Sequence, residues 1–503
     1  MTLLRRILWR GLTRPRRLAV TDDQRTYSYL QIIAGAFFVA RAVRRATRAP
    51  RVGVLLPTGG AFPIAVLGCW LARRVPVPLN YLLSQVELDH VVADAELDLI
   101  LTAGKMVDAV KELGVDLTAL PGSPRLLKLE ELSFKGVPPL RLPPRQRPDE
   151  LAVLLYTSGT SGRPKGVMLT ERNLRTNIED AIAHAQLKDA DVFVGVLPQF
   201  HTFGLTVLTL LPLVMGGRVV YTARFVPRRL IELIKKERAH IMVAVPSMYG
   251  ALRSVKKATA ADLSSLKLVI SGGEPLPAAV ADDFRAKFDI NILEGYGLTE
   301  TSPVTNWSTP ERQRPASVGP ALPRVRNLIV DDHNRILGPD EEGEILIAAP
   351  SVMKGYYRLP DLTDQVMVEL DVPGPDGTAR PTRCFRTGDI GKLDADGFLY
   401  ITGRKKEMLI ISGENVFPRE IEEVLNRHPS VHASAVIGVP CPSRGEQALA
   451  FVELEDGAAF DEGALRQHCR DGMAGFKVPK EIRPIETLPR NPTGKILRRE
   501  LKA

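Results

Sequence analysis

The sequence predicts an α/β protein: a large N-terminal domain of helix-covered, largely parallel β-sheets, a small barrel-like β-rich section, and a compact α+β unit at the C-terminus. Three observations carry that expectation. Short apolar runs alternate with amphipathic stretches through the first two-thirds of the chain, the pattern of parallel strands joined by covering helices. From about 325 to 401 the amphipathic stretches stop, and short strands are separated by Asp/Gly turns. After Gly403-Arg404 helix and strand patterns return over about 100 residues, an ordinary domain size.

Taken in order, strands are expected over 52–56, 98–102, 151–156, 192–196, 218–221, 241–245, 267–271 and 290–293, each an apolar run bounded by turn residues. Helices are expected over 171–186, 227–237 and 276–288, where apolar residues recur every three to four positions. Strands over 326–330, 344–348 and 398–401 make the β-rich section. Helices over 419–427 and 462–471, with strands over 431–437 and 448–454, make the last unit. The Pro/Arg segment 140–147 reads as a surface connection. Two uncharged stretches, 52–72 and 192–217, reach the length of a membrane span. The first is interrupted by Pro57-Thr58-Gly59-Gly60 and the second by Pro198, His201, Gly204 and Pro212, so both read as buried strand, loop and helix. A soluble, cytoplasmic protein is expected.

Composition narrows the function. Of 503 residues, 45% are hydrophobic and 25% charged, which excludes a disordered or collagen-like chain. The four cysteines show no C-x-x-C spacing, so neither a disulfide framework nor a zinc site is indicated, and a reducing compartment fits. The net charge of +9 sits entirely in residues 1–50, which hold eleven Arg, no Lys and two Asp. A nucleic-acid binder would spread its basic surface differently, so no nucleic-acid partner is expected. The opening Leu3-Leu4-Arg5-Arg6-Ile7-Leu8-Trp9-Arg10 reads first as a solvated terminal segment. Peripheral contact with an anionic membrane is the alternative.

One string stands out: Tyr156-Thr157-Ser158-Gly159-Thr160-Ser161-Gly162-Arg163-Pro164-Lys165-Gly166-Val167. Its glycines and small hydroxyl residues expose successive backbone N–H groups, which with Lys165 can enclose a polyphosphate. It is not a Walker A loop, because Gly166 rather than Ser or Thr follows the lysine.

This string resembles the phosphate loop of the AMP-forming acyl-CoA synthetases, the adenylate-forming superfamily that includes beetle luciferases and peptide-synthetase adenylation domains. The resemblance runs in family order through Leu197-Pro198-Gln199-Phe200-His201-Thr202-Phe203-Gly204, Ser271-Gly272-Gly273-Glu274-Pro275-Leu276 and Glu294-Gly295-Tyr296-Gly297-Leu298-Thr299-Glu300-Thr301. It continues through Phe385-Arg386-Thr387-Gly388-Asp389, Gly403-Arg404-Lys405-Lys406-Glu407, Ser412-Gly413-Glu414-Asn415 and Asn491-Pro492-Thr493-Gly494-Lys495. It therefore covers nearly the whole chain and is most like fatty acyl-CoA ligases.

The resemblance implies two half-reactions: a carboxylic acid is joined to AMP from ATP, and a thiol then displaces AMP. It implies ATP, Mg²⁺ and CoA, with Thr157 and Glu300 holding the metal and the loop through Ser158, Gly159, Thr160, Ser161, Gly162 and Lys165 folding over the phosphates. Gly272, Gly273, Glu274, Glu294, Gly295, Tyr296, Gly297 and Thr299 would surround the nucleotide. Asp389 would accept the ribose hydroxyls, with Arg404 beside it. Lys495 would bridge the carboxylate and the α-phosphate. The resemblance also makes residues 405–503 a mobile domain turning about Lys406, against an N-terminal domain of 1–404 (α/β to about 324, β-rich over about 325–404). That rotation would bring Ser412, Gly413 and Glu414 to the thiol's pantetheine arm. The family commonly has Asp before the arginine, where this chain has Gly403.

The acid is less legible. Peptide-synthetase domains generally place an aspartate after the aromatic residue, and here His201 stands there, so an amino acid's ammonium would lack a counter-charge. His201 is expected to orient the acyl carboxylate or gate its pocket. Phe203, Gly204, Val245, Met248 and Leu298 would line an apolar pocket, with Gly204 and Ala244 leaving room for length. A medium- to long-chain fatty acid is expected, with an aryl or cinnamate-type acid as the alternative. Delivery to an acyl carrier protein instead of CoA is a further alternative, since both thiols sit on phosphopantetheine. A non-catalytic scaffold fits poorly with intact Thr157, Glu300, Asp389, Arg404 and Lys495. The oligomeric state stays open, a homodimer included.

Overall fold

The computed structural model describes residues 1–158, 163–374, 378–441, 444–490 and 495–502. Among them the strands form five sheets. The largest has eight strands and runs, edge to edge, Val304–Trp307, Leu293–Gly297, Leu268–Ser271, Ile241–Ala244, Val192–Gly195, Arg218–Tyr221, Leu18–Thr21 and Thr26–Ser28. Its inner pairs are parallel, and antiparallel pairs close its two edges. The interior strands read as unbroken apolar runs because helices such as Pro227–Glu237 and Ala278–Phe288 pack alongside. A second, four-stranded parallel sheet orders Val75–Pro78, Arg51–Val54, Leu99–Thr102 and Arg125–Lys128. The β-rich section is an antiparallel sheet of Arg326–Val330, Gly343–Ala348, Ala379–Leu393 and Met367–Pro373, with Leu399–Arg404 paired to the long strand. The small C-terminal domain packs helices Pro418–Leu425 and Glu462–Gly472 on a sheet built around Val431–Cys441 and Gly445–Leu454.

Several expectations need correction. The strand expected at 290–293 lies at Leu293–Gly297, because Gly295 and Tyr296 pair with Trp307 and Asn306. Tertiary pairing there overrides the turn preference of Gly-Tyr-Gly. Between the expected strand at 151–156 and the helix at 171–186 the structure adds a strand that sequence reasoning missed. Strand Leu151–Ser158 turns back as a second strand, Pro164–Thr170, and only then does helix Glu171–His184 begin. The β-rich section is not free of helices: Pro360–Val366 forms a short one with proline in its first turn, where the missing N–H costs nothing.

The largest correction is at the N-terminus, which is not a solvated segment. Leu3–Thr13 is a helix with Leu3, Leu4, Ile7, Leu8 and Gly11 buried in the main core. Gly11 lets the Ile33 side chain pack close, since a Cβ would sit 1.9 Å from Ile33 Cδ1 and push that methyl aside. Glu171 accepts the Leu3 N–H at 3.1 Å, Arg6 pairs with Glu179 at 2.5 Å, and Arg14 pairs with Asp189. The apolar residues Leu3, Leu4, Ile7 and Leu8 are thus committed to the core and cannot enter a lipid surface, while Trp9 and Leu12 stay exposed. Ile7→Asp should destabilise the fold by about 4 kcal/mol or more, because it buries an unpaired carboxylate. Thermal melting checks this, and an unchanged melting temperature would mean that the helix does not contribute to the core. Leu142, in the 140–147 connection, is 95% exposed, as a surface segment should be. The four cysteines are buried. No helix among the described residues is long and apolar enough to cross a membrane.

Candidate active site

Four of the singled-out segments follow the C-terminal ends of adjacent parallel strands. Val192–Gly195 leads to His201, Ile241–Ala244 to Val245 and Met248, Leu268–Ser271 to Gly272-Gly273-Glu274, and Leu293–Gly297 to Glu300. The register aligns these ends, with Ala244 opposite Ser271 and Ser271 opposite Glu294. The carboxyl edge of an open parallel sheet is where ligands bind in such folds. Here the Phe203 ring lies over Gly272, so that a Cβ at 272 would come within 2.9 Å of Phe203 Cε1. Gly273, at φ +84°, faces Val245. Phe203, Val245, Gly272 and Gly273 therefore share one wall. Met248 and Leu298 are partly buried against the same core.

Gly204 does not leave room for an acyl chain. A Cβ there would sit 2.1 Å from the Pro198 carbonyl oxygen, so the glycine serves a close backbone approach at the start of the π-helical segment Phe203–Leu210. Ala244 is fully buried within its strand. Beside Gly204, His201 stacks against Phe200 at 5.0 Å between ring centroids. Burial pushes the imidazole pKa down to about 4, so the ring is neutral near pH 7 and offers a hydrogen bond rather than a charge.

The β-rich section supplies the opposite side. Asp389 is 4% exposed, accepts the Tyr296 hydroxyl at 2.5 Å and pairs with Arg404 Nε at 3.0 Å. The strand register places Asp389 and Arg404 directly across from each other. The Thr387 hydroxyl accepts the Asp389 N–H and donates to the Ile345 carbonyl, which fixes the turn before the carboxylate. Burial and the nearby Asp389 carboxylate hold the Tyr296 phenol in its neutral form. Glu294, on the same strand as Tyr296, is pushed up to about 7 by burial, with Arg419 opposing.

A second cluster surrounds the phosphate-loop hairpin. Thr157 and Lys165 face each other across it. Lys165 Nζ lies 4.5 Å from the Tyr356 ring centroid, and the Tyr356 hydroxyl donates to Glu300 Oε1 at 2.8 Å. Burial lowers the Lys165 pKa, Glu300 opposes the shift, and Lys406 adds to it. Tyr356 was not legible as a site residue: an aromatic residue after glycine has no signature, and only the strand Gly355–Tyr356 pairing with Pro164–Thr170 brings it here. Thr299 shares the 3₁₀ turn Thr299–Thr301 with Glu300. Gly159, Thr160, Ser161 and Gly162, with Asn491 to Gly494, lie outside the described residues.

Lys495 comes from the C-terminal domain into this arrangement. Burial lowers its pKa and Arg404 adds to that, while Glu407, Glu274 and Asp389 oppose it. The chain thus brings together a lysine eight residues from its end, the Asp389–Arg404 pair and Glu274. Just beyond, Arg498 pairs with Glu422 at 2.7 Å and Glu407 at 3.0 Å. Gly403 is explained by packing: a Cβ there would lie 2.2 Å from Phe417 Cδ1, leaving no space for an aspartate. Ser412, Gly413 and Glu414 are not drawn in. They sit on the exposed turn of the hairpin Leu409–Ile411/Glu414–Val416, with Ser412 N–H bonded to the Arg444 carbonyl.

Among the described residues no three His, Cys, Asp or Glu side chains converge on a metal position. A Mg²⁺ ion held by one carboxylate, one hydroxyl and substrate phosphates is compatible with that donor set, because this ion keeps few protein ligands. Glu300 and Thr157 would be the two oxygen donors for such an ion.

The sequence profile of AMP-binding enzymes matches residues 9–357, and that of the AMP-binding enzyme C-terminal domain matches residues 420–495. The chain is 35% identical over 484 residues to the sulfoacetate–CoA ligase of Cupriavidus necator, spanning 95% of this chain and 92% of that one. It is 32% identical over 496 residues to a feruloyl-CoA synthase of Amycolatopsis, spanning 97% and 96%. Against the long-chain-fatty-acid–CoA ligase of Salmonella typhimurium it is 34% identical over 490 residues, spanning 90% and 85%. Among solved structures, ATP-bound MatB from Rhodopseudomonas palustris superposes with a TM-score of 0.87 at 31% identity, over 99% of this chain and 98% of that one. The apo form of the same protein gives 0.79.

Proposed function

The chain belongs to the AMP-binding enzyme family and is an AMP-forming CoA ligase, and from that premise we propose that its acid is a monocarboxylic acid with an apolar body, a medium- to long-chain fatty acid. The observation that carries this reading is the wall formed by Phe203, Val245, Gly272 and Gly273 beside a neutral His201, with Met248 and Leu298 partly buried against the same core. The segments 203–208 and 243–249 contain no Lys or Arg to offset a second negative group, so an acid with an anionic tail would be held poorly. The similarity to a feruloyl-CoA synthase keeps an aromatic acid as the second reading.

In the first half-reaction a carboxylate oxygen attacks the α-phosphorus of ATP and pyrophosphate leaves with the electron pair of the broken P–O bond. Lys495 lies at the developing negative charge between the two reactants, and Asp389 with Arg404 holds the ribose. Tyr296 forms a face of the adenine site, with Gly272, Gly273, Gly295 and Gly297 allowing the backbone to come close. Lys165 and the loop 157–166 enclose the leaving phosphates. Mg²⁺, held by Thr157 and Glu300, would neutralise phosphate charge. His201 donates a hydrogen bond to the acid. In the second half-reaction the CoA thiol, losing its proton, attacks the acyl carbon and AMP departs. Rotation about Lys406 would carry Lys495 out and the turn Ser412-Gly413-Glu414 in. Support for an adenylation arrangement comes from the hydrogen bond of Ile496, next to Lys495, with Glu274, and from the better match to the ATP-bound relative.

Pyrophosphate release from ATP, measured against fatty acids from C2 to C18, benzoate, cinnamate and sulfoacetate, with and without CoA, tests the reading. CoA-dependent turnover should peak at one aliphatic chain length and be lowest with sulfoacetate. A maximum with cinnamate would transfer the assignment to an aromatic acid. Adenylate accumulating without acyl-CoA would make a carrier protein the acceptor.

A further inference from the structure

The loop after strand Leu268–Ser271 contains a carboxylate that meets the other domain. Glu274 follows Gly273 at the end of strand Leu268–Ser271, and its Oε1 accepts the N–H of Ile496 at 3.0 Å, across 222 positions of sequence. Burial disfavours its charge, and the groups that offset this are the Ile496 N–H, Arg490, Lys495 and Arg498, all within residues 490–498. A buried carboxylate gains most from charge-assisted hydrogen bonds and nearby cations, and is costly without them. Glu274 is therefore compensated in the arrangement that places Lys495 in the cleft.

The segment around Lys495 needs such support. Lys495 and Ile496 belong to no regular strand or helix, and Ile496 is tied to Arg490 by an isolated bridge. Behind it, Arg498 is fastened to Glu407 and Glu422 within its own domain. In front, a hydrogen bond from the Ile496 N–H to Glu274 crosses to the nucleotide side. A carboxylate facing the C-terminal segment in this way does more than wall the adenine.

We propose that Glu274 is a positioning residue for Lys495: its carboxylate binds the backbone at Ile496 and so holds the lysine in the arrangement used for adenylation, a role that rests on the ligase reading above. The bond must break when the domain turns for thioester formation, so Glu274 favours one half-reaction without serving the other.

The test is Glu274→Gln, which keeps the shape and removes the charge. Single-turnover adenylation should fall about tenfold, the loss of one charge-assisted hydrogen bond. Thioester formation from supplied acyl-adenylate and CoA, and the KM for ATP, should each stay within about twofold. In a Lys495→Ala background the same substitution should cost nothing further, because there is no lysine left to position. Glu274→Asp, which restores the charge on a shorter arm, should recover part of the rate. Unchanged adenylation in Glu274→Gln overturns the proposal, as does equal loss in both half-reactions. A rise in the KM for ATP alone would leave Glu274 as an adenine wall only. If the unsubstituted enzyme adenylates no acid, the ligase reading itself fails; if it adenylates normally and Glu274→Gln matches it, only the positioning role fails.

Discussion

Lys495→Ala should slow acyl-adenylate formation by about 10²–10³-fold while leaving thioester formation from a supplied acyl-adenylate near its original rate. The expectation follows from a cation placed at the charge that develops on the carboxylate and α-phosphate, an effect of about 3–4 kcal/mol in comparable sites. Burial beside Arg404 lowers the lysine's pKa, and the carboxylates of Glu407, Glu274 and Asp389 oppose that shift. The two half-reactions are measured separately, the first by pyrophosphate release in a single turnover. Equal loss in both would remove Lys495 from the adenylation step.

Asp389→Ala should weaken ATP binding by about 10²-fold, the second large effect. The carboxylate accepts the Tyr296 hydroxyl and pairs with Arg404, so its removal strands a half-buried phenol and a guanidinium as well as the proposed ribose contact. Losing the buried carboxylate from this part-exposed network, together with its hydrogen bond to the ligand, costs about 2–3 kcal/mol. Calorimetric titration with ATP reads the affinity, and a melting curve separates it from loss of fold. An unchanged affinity in a folded variant would take Asp389 out of the nucleotide site.

The expected strands over 192–196, 218–221, 241–245 and 267–271 recur at Val192–Gly195, Arg218–Tyr221, Ile241–Ala244 and Leu268–Ser271, because strands covered on both faces are continuous apolar runs. The strand expected at 290–293 failed for the complementary reason. Gly295, Tyr296 and Gly297 extend only because Val304–Trp307 lies alongside, and no window of local sequence contains that neighbour. The N-terminal helix misled in the same way. Its arginines read as a free charged terminus, whereas Leu3, Leu4 and Ile7 had a hydrophobic surface waiting on helices Tyr29–Ala46 and Leu211–Met215. Gly204 shows the converse error. A small residue looks like space, yet here it is filled by the Pro198 carbonyl.

By itself the sequence determined the α/β class, the ligase family and the order in which Thr157, His201, Glu300, Asp389 and Lys495 occur, because phosphate-binding and turn motifs are local and written in contiguous residues. Only the tertiary structure decided that Tyr296 and Arg404 share Asp389, that Tyr356 links Lys165 to Glu300, and that Glu274 meets the backbone beyond Lys495. Each of those contacts joins residues far apart in the chain, and it is strand register and domain packing, rather than the character of either residue, that brings them within a hydrogen bond.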